Sequence, residues 1–380
     1  MSSALMEEIE ALGKTIAYHI GQALHHGNQA QALHAQLVEK TTAPAAGNLV
    51  ANGSATLGAG GKVTIKQRPA MKKLAGILCL TPMDADPATF EAWGNQAVDA
   101  VCLHQSWKAL SPDGLTLTMG PLTGALAFAE KEGKQLLYSV STGIDSPTLP
   151  GARMITLTAP AAGVMPLPWD QSAALDWMAC VRAMGAVFDA HPNLAGVVMA
   201  GVGQEVNCTL AEQEPDITAF ENAGFPEGWI DWVKELIDVY AAAFPTTPFY
   251  LAVAKPTPSP DGLNALEEVC AYGAAAYPGH FGVLNPNLTA ICDRSNPVVG
   301  LVPKYAETNP AGFFLETSSV GFENKAGKQM TLGGSLAATL KNGESLGADV
   351  IGVYDGDCAL PANAAVLSAA STALKNQNAA

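Results

Sequence analysis

Two different patterns of apolar positions divide the chain. Between residues 4 and 40 apolar side chains recur with heptad spacing, and with Ile9 at position a the pattern runs through five heptads without a proline. A repeat of this length predicts a coiled coil that joins copies of the chain through residues 5–37. His19 and His26 fall at two d positions, where polar layers fix register and oligomeric state. A single amphipathic helix packed on its own domain is the alternative.

The next segment, residues 41–70, differs in composition. It begins with a linker-like stretch around Pro44 and continues as short alternating strands on either side of the Gly-rich run at 58–61. The pattern predicts a linker followed by a small β element, such as a hairpin. We therefore expect three parts: a docking or oligomerisation helix at 1–40, this linker and β element at 41–70, and a large domain at 71–380.

In the large domain, short apolar runs alternate with longer helical patterns. The apolar runs lie at residues 74–80, 98–103, 135–140, 194–200, 248–254, 280–284, 312–315 and 350–353. Helical patterns lie at 87–96, 120–132, 171–190, 227–243, 262–276, 332–346 and 362–374. Nearly continuous apolar runs are typical of parallel strands covered on both faces. Eight such units predict an α/β fold, a (β/α)8 TIM barrel, with the strand-like residues 153–157 left in a loop.

A doubly wound parallel sheet is the competing architecture. That fold usually places a Gly-rich phosphate-binding turn after its first strand. Here the first apolar run is followed by Thr81, Pro82, Met83 and Asp84. The barrel is therefore the better prediction.

Composition and charge narrow the functional classes. Hydrophobic residues make up 48% of the chain and charged residues 14%, which excludes wholesale disorder. The net charge of −15, with no Lys/Arg cluster, disfavours nucleic acid and anionic membranes as partners. No apolar run is long enough to span a bilayer, and the first residues do not form a signal peptide, so we expect synthesis in the cytoplasm. Seven scattered cysteines without a CxxC motif predict buried free thiols and no zinc site.

The chemistry of a barrel is carried by residues that follow its strands. Glu205 follows the fourth apolar run and Glu316 follows the seventh, so the two carboxyl groups are expected to face one cleft from opposite sides. A pair of carboxyl groups flanking a cleft is what glycoside hydrolysis requires. Other side chains at strand ends are candidates for substrate binding: Trp107, Gln204, Asn207, Asn285, Tyr354 and Asp355. We predict no metal and no cofactor.

With these residues, the chain over about 73–375 resembles the clan A retaining glycoside hydrolases, barrel enzymes with catalytic glutamates after strands four and seven. The resemblance implies that Glu205 is the acid/base, Glu316 the nucleophile and Trp107 a wall of a sugar subsite. The chain departs from the family pattern at three places. Gln204 stands where the family usually has Asn, strand six ends in Asn285 and Asn287 where a Tyr is frequent, and Tyr354 replaces a common Trp.

The sequence thus predicts a retaining glycosidase that cleaves or recognises a surface carbohydrate. The alternative is a non-catalytic carbohydrate-binding or receptor-binding barrel, or a structural virion protein of the tail fibre or tail tip type. Expected partners are an oligo- or polysaccharide, further copies of the chain and other virion proteins. The expected location is the surface of a phage tail, or otherwise the cytoplasm. A Schiff-base Lys255 and a metal site built from His104, Asp355 and Glu316 are rival chemistries.

Overall fold

The computed structural model describes residues 53–57, 63–67, 71–114, 116–158, 162–323 and 329–377. The chain divides into two compact units, Met1–Pro69 and Ala70–Ala380. In the first unit, strand Gly53–Leu57 pairs antiparallel with Val63–Gln67, so that Gly53 lies opposite Gln67. The coiled coil predicted for residues 5–37 lies outside the described residues.

The second unit is built on a closed barrel of eight parallel strands, which confirms the predicted α/β barrel. In chain order the strands are β1 (Gly76–Leu80), β2 (Ala100–Ser106), β3 (Gln135–Ser141), β4 (Leu194–Val198), β5 (Phe249–Ala252), β6 (Phe281–Leu288), β7 (Ala311–Leu315) and β8 (Val350–Tyr354). Each strand pairs with its neighbours in sequence, and β8 closes the barrel against β1 with Val350 opposite Gly76. The eight predicted apolar runs correspond one to one with these strands.

Helices connect the strands around the outside of the barrel. They are α1 (Trp107–Leu110), α2 (Gly120–Glu132), α3 (Gln171–Phe188), α4 (Glu214–Glu221), α5 (Glu227–Ala243), α6 (Pro260–Ala276), α7 (Leu301–Tyr305), α8 (Leu336–Ser345), α9 (Asp355–Ala359) and α10 (Ala364–Gln377). Caps explain several boundaries: the Asp170 carboxylate accepts from the backbone N–H of Ser172 at the start of α3. Gly133, with φ of 64°, ends α2 in the left-handed conformation. Among the described residues no helix is long and apolar enough to cross a bilayer.

Alternation along the strands separates the inside of the barrel from the surrounding core. In β2, Ala100 and Cys102 belong to the small interior cluster, whereas Val101 and Leu103 pack in the larger core between strands and helices. The same parity turns His104, the next interior position, toward the C-terminal end of the barrel. We call this end, formed by the residues that follow β1–β8, the mouth.

Three local predictions differ from the structure. The helix predicted at 87–96 is instead two 3₁₀ turns, Pro87–Thr89 and Glu91–Gly94, because Phe90 adopts an extended conformation between them. Strand β6 continues past Leu284 to Leu288, with a register shift after Asn285. The strand-like residues 153–157 form Met154–Leu157, which pairs antiparallel with Gly163–Pro166 in the connection after β3.

The seven cysteines are all free thiols. Six are buried and Cys292 is partly exposed. Burial raises the pKa of Cys102 to about 12, so this thiol stays protonated at neutral pH. The cysteines therefore pack as small apolar side chains, in keeping with the sequence prediction.

Candidate active site

The two predicted carboxyl groups share a neighbour at the mouth. Tyr354 ends β8 and is half-buried between the strand ends. Burial raises the pKa of its phenol, and the negative charges of Glu205 and Glu316 raise it further. The charges of the acids that follow β4 and β7 therefore both act on one phenol, and their pairing across a bound substrate stays a prediction. The phenol stays protonated at neutral pH and can donate a hydrogen bond.

Glu316 is placed by the register of β7. Phe314 belongs to the interior cluster, so Glu316 takes the next interior position along the chain, at the mouth. Its backbone N–H donates to the carbonyl of Leu288 at 3.1 Å, which ties it to the end of β6. Its side chain is half-buried. A carboxyl group fixed to two strand ends has a defined position relative to a bound substrate.

Glu205 is placed by a loop rather than by a strand. Its φ of 52° lies in the left-handed region, which is uncommon for a residue with a side chain. Its backbone carbonyl accepts a hydrogen bond of 2.9 Å from the N–H of Thr142 at the end of β3. The Thr142 hydroxyl donates to the Gly203 carbonyl at 3.2 Å and accepts from the Gly201 N–H at 3.1 Å. The carboxyl group itself is exposed to solvent.

Gly143 allows the β3 end and the Glu205 loop to approach so closely. Its φ is 69°, and a Cβ placed on it would lie 2.8 Å from the Cα of Gln204. No side chain fits that gap without a backbone shift. The position of Glu205 therefore depends on a glycine in a different strand–helix connection.

Two predicted binding residues use their amide groups within the same loop. The Gln204 side chain donates to the Leu210 carbonyl at 2.6 Å. The Asn207 side chain accepts from the Thr209 N–H at 2.8 Å. Both residues are half-buried, and these bonds shape the loop that carries Glu205. Their roles toward a substrate stay predictions.

Two other predicted binding residues are buried. Trp107 is 2% exposed, and its ring packs edge-on against Trp177 with centroids 4.9 Å apart. An indole buried in this way has no face on which a sugar can stack, so the structure does not support the predicted subsite wall. Asn285 is 1% exposed, and its side-chain oxygen accepts from the Asn287 N–H in the irregular end of β6. This bond supports the strand end, and a contact of Asn285 with a substrate stays a prediction.

The residues after β8 differ from each other in role. Asp355 is exposed, and its carboxylate accepts only the Gly356 N–H at 2.8 Å, so it remains available at the mouth. Asp357, which the sequence did not distinguish from a turn residue, is 1% exposed. One of its oxygens accepts from the Ser319 N–H at 2.8 Å, and the other accepts from the Ser319 hydroxyl. Asp357 thereby fastens the loop after β7 to the segment after β8.

His104 is a second residue whose role the sequence left open. The charges of Asp84 and Asp145 both act on its side chain. Ser106 donates to the Asp84 carboxylate at 2.8 Å, and Ser141 donates to the Asp145 carboxylate at 2.6 Å. Burial lowers the pKa of His104, and the two carboxylates offset part of this effect. Among the described residues no three His, Cys, Asp or Glu side chains group as metal ligands.

The fold and this mouth define a (β/α)8 barrel with paired carboxyl groups after β4 and β7. No family model and no curated protein sequence matches the chain. Among solved structures, the β-galactosidase from Rahnella sp. R3 is 12% identical with a TM-score of 0.47, over 82% of this chain and 58% of that one. Xylanase B from Clostridium stercorarium F9 is 11% identical with a TM-score of 0.44, over 74% and 86%. The β-galactosidase from Marinomonas ef1 is 10% identical with a TM-score of 0.47, over 78% and 59%.

This chain thus spans less than two thirds of the length of the two β-galactosidases. At these identities the similarity concerns the fold.

Proposed function

We propose that the barrel is a retaining glycoside hydrolase acting on O-glycosidic bonds, with Glu205 as acid/base and Glu316 as nucleophile. The observation that supports this proposal is that Glu205 and Glu316 both follow barrel strands and that the charges of both act on the Tyr354 phenol at the end of β8. Such a pair divides the reaction into two roles: one group protonates the leaving oxygen while the other attacks the anomeric carbon. The protonated Tyr354 phenol supplies a hydrogen-bond donor at the same end of the barrel.

The charge of the mouth favours an uncharged saccharide. Besides Glu205 and Glu316, carboxylates follow other strands at Asp84, Asp145 and Asp355, and a cation, Lys255, follows β5. Like charges repel, so uronic, sulfated or phosphorylated sugars bind poorly beside this group of anions. We infer that the substrate is a neutral carbohydrate.

The first test removes each carboxylate without changing its size. Glu205→Gln is expected to lower turnover about 100- to 10,000-fold, the usual contribution of general acid–base catalysis, while saccharide binding persists. Glu316→Gln is expected to remove turnover because no nucleophile remains. Activity is measured on p-nitrophenyl glycosides of a panel of neutral pyranoses, and binding by calorimetry. The NMR spectrum of the first-formed product reports whether the anomeric configuration is retained.

Glu235→Gln on α5 is the matched control and should leave turnover unchanged. Wild-type turnover that survives in both Glu205→Gln and Glu316→Gln would rule out the two-carboxylate mechanism.

A second candidate is a carbohydrate-binding or receptor-binding barrel without turnover. The bond between the Gln204 amide and the Leu210 carbonyl favours it, because one of the two N–H donors of that amide is used within the loop. This candidate predicts saccharide affinity in the wild type with no hydrolysis on any substrate of the panel. Under both proposals, copies of the chain associate through residues 5–37 and are displayed on a virion tail.

A further inference from the structure

Three buried tryptophans converge on the backbone that leads to Glu205. The indole N–H of Trp177 donates to the Ala200 carbonyl at 2.8 Å. That of Trp232 donates to the Gly201 carbonyl at 2.7 Å, and that of Trp229 to the Val202 carbonyl at 2.6 Å. Three consecutive carbonyls after β4 are thus each held by an indole from α3 or α5. We call Trp177, Trp229 and Trp232 the indole clamp.

The bonds of the clamp continue into those that hold Glu205 itself. The Ala200 N–H donates to the Tyr240 hydroxyl at 3.1 Å. Beyond Val202, the Thr142 hydroxyl holds the Gly203 carbonyl, the Gln204 N–H donates to Thr209, and the Glu205 carbonyl accepts from Thr142. Every residue from 200 to 205 therefore has a backbone group bonded to a partner. This segment contains Gly201 at φ 83° and Glu205 at φ 52°.

Because the indole clamp is buried, its hydrogen bonds strongly constrain the backbone of residues 200–202. Trp177, Trp229 and Trp232 are 1%, 0% and 4% exposed. A buried donor or acceptor that loses its partner cannot be compensated by water, so each indole and each carbonyl is held to the other. A left-handed glutamate is unfavourable by itself, and it persists where the surroundings allow no alternative.

We propose that Trp177, Trp229 and Trp232 are positioning residues for Glu205, acting through the backbone of residues 200–205 and not through contact with the substrate. This inference rests on the proposed role of Glu205 as acid/base. It assigns a function to helices α3 and α5: their packing sets where the catalytic proton is delivered. It also explains why three of the six tryptophans are buried beside the site.

The experiment uses Trp232→Phe and Trp229→Phe, which remove the N–H and keep an aromatic ring. Trp93→Phe is the matched control. Its indole is also buried, at 5% exposed, and donates to a carbonyl, that of Pro87, at 2.8 Å, but it lies in the connection after β1. All three variants lose one buried indole–carbonyl bond, and only two of them lose a bond to residues 200–205.

Two readouts separate positioning from general destabilisation. The first is kcat/KM on phenyl and 2,4-dinitrophenyl glycosides of a sugar that the wild type hydrolyses. A displaced acid slows the hydrolysis of phenyl glycosides more than that of dinitrophenyl glycosides, because only the phenyl leaving group depends strongly on protonation of its oxygen. We expect a loss of about 10- to 100-fold on phenyl glycosides for the clamp variants and little change for Trp93→Phe. The second is amide hydrogen exchange of residues 203–207, expected to quicken in the clamp variants alone.

Equal effects of the clamp variants and Trp93→Phe on both readouts would overturn the proposal. If the wild type hydrolyses no glycoside, the proposed enzymatic function fails, and hydrogen exchange alone tests the positioning role. Unchanged exchange at residues 203–207 in the clamp variants overturns that role, and faster exchange supports it. If a phenylalanine variant does not fold, benzothienylalanine at the same position keeps the shape of the ring and lacks only the N–H. The same outcomes then apply.

Discussion

At the scale of single residues, Glu205 shows how the site is held in place. Its left-handed backbone costs about 1–2 kcal/mol relative to an ordinary conformation. Net contributions of about 1 kcal/mol from each of several hydrogen bonds to the segment offset this cost. Asp84, the other non-glycine residue with positive φ among those described, also lies at the mouth and anchors Ser106. Backbone strain and carboxyl groups thus coincide at two strand ends.

Replacing Gly143 tests this arrangement directly. Gly143→Ala places a Cβ 2.8 Å from the Gln204 Cα, in a conformation with φ of 69°. We expect the free energy of unfolding to fall by about 2–4 kcal/mol, from left-handed strain plus overpacking, and turnover to fall because the Glu205 loop must move. Chemical denaturation and glycoside hydrolysis measure the two effects.

Gly133→Ala is the control for the backbone conformation. Gly133 has nearly the same φ, 64°, but nothing lies within 4 Å of a Cβ at that position. In Gly133→Ala the free energy of unfolding should therefore fall only by the left-handed strain of about 1–2 kcal/mol, and turnover should stay unchanged. Equal losses in the two variants would show that the contact with Gln204 does not constrain the loop.

At the residue scale the sequence predicts the two acids but not the groups that support them. Glu316 directly follows an apolar run and Glu205 comes five residues after one, so both can be placed at strand ends from the sequence. Trp107 was misjudged because Ser106 caps a short helix there and turns the indole into the core. Asp357 and Thr142 could not be recognised, because their partners are far away in sequence and a hydrogen bond of this kind leaves no periodic pattern.

At the scale of elements, the eight strands were predictable because each is buried on both faces and reads as one apolar run. The C-terminal end of β6 was not predictable, because Pro286 indicates that a strand stops there. In the structure, the strand continues past this proline with an irregular register. The first predicted helix failed because Phe90 is extended and Trp93 bonds back to Pro87. In both cases local tertiary contacts override the sequence pattern.

The contact between the segments after β7 and β8 is a second testable element. Asp357→Ala removes the acceptor of both the Ser319 N–H and its hydroxyl. Losing two bonds to a buried carboxylate is expected to lower the free energy of unfolding by about 2–4 kcal/mol. Amide exchange at residues 317–321 should quicken because their anchor is lost.

Asp355→Ala, two residues away, serves as comparison for stability. Its carboxylate is exposed and accepts only the neighbouring Gly356 N–H. A change within about 0.5 kcal/mol is expected there. If Asp357→Ala were equally mild, the Asp357–Ser319 contact would not order the loop.

At the scale of the whole molecule, the boundary between the two compact units falls in the chain between Pro69 and Ala70. The barrel unit has its own core and closed sheet, so we expect a chain that starts at Ala70 to fold alone. Its unfolding midpoint should stay within about 2 °C of that of the full chain, which corresponds to a small difference in free energy. Sedimentation should find oligomers of the full chain and monomers of the shortened one.

Oligomers of the shortened chain would assign self-association to the barrel and contradict the role predicted for residues 5–37. A shortened chain that does not unfold cooperatively would show that the two units depend on each other. Calorimetry on both chains separates these results.

The pairing of β8 with β1 also governs how the protein can be made. β1 is the first of the eight strands to leave the ribosome, and its neighbour on one side, β8, is the last of them to be synthesised. Until then the sequence Gly-Ile-Leu-Cys-Leu of β1 presents an uncharged, unpaired edge in the nascent chain. Such edges join those of other unfinished chains. Slow translation of the last hundred residues, or their truncation, would therefore favour aggregation over the finished barrel.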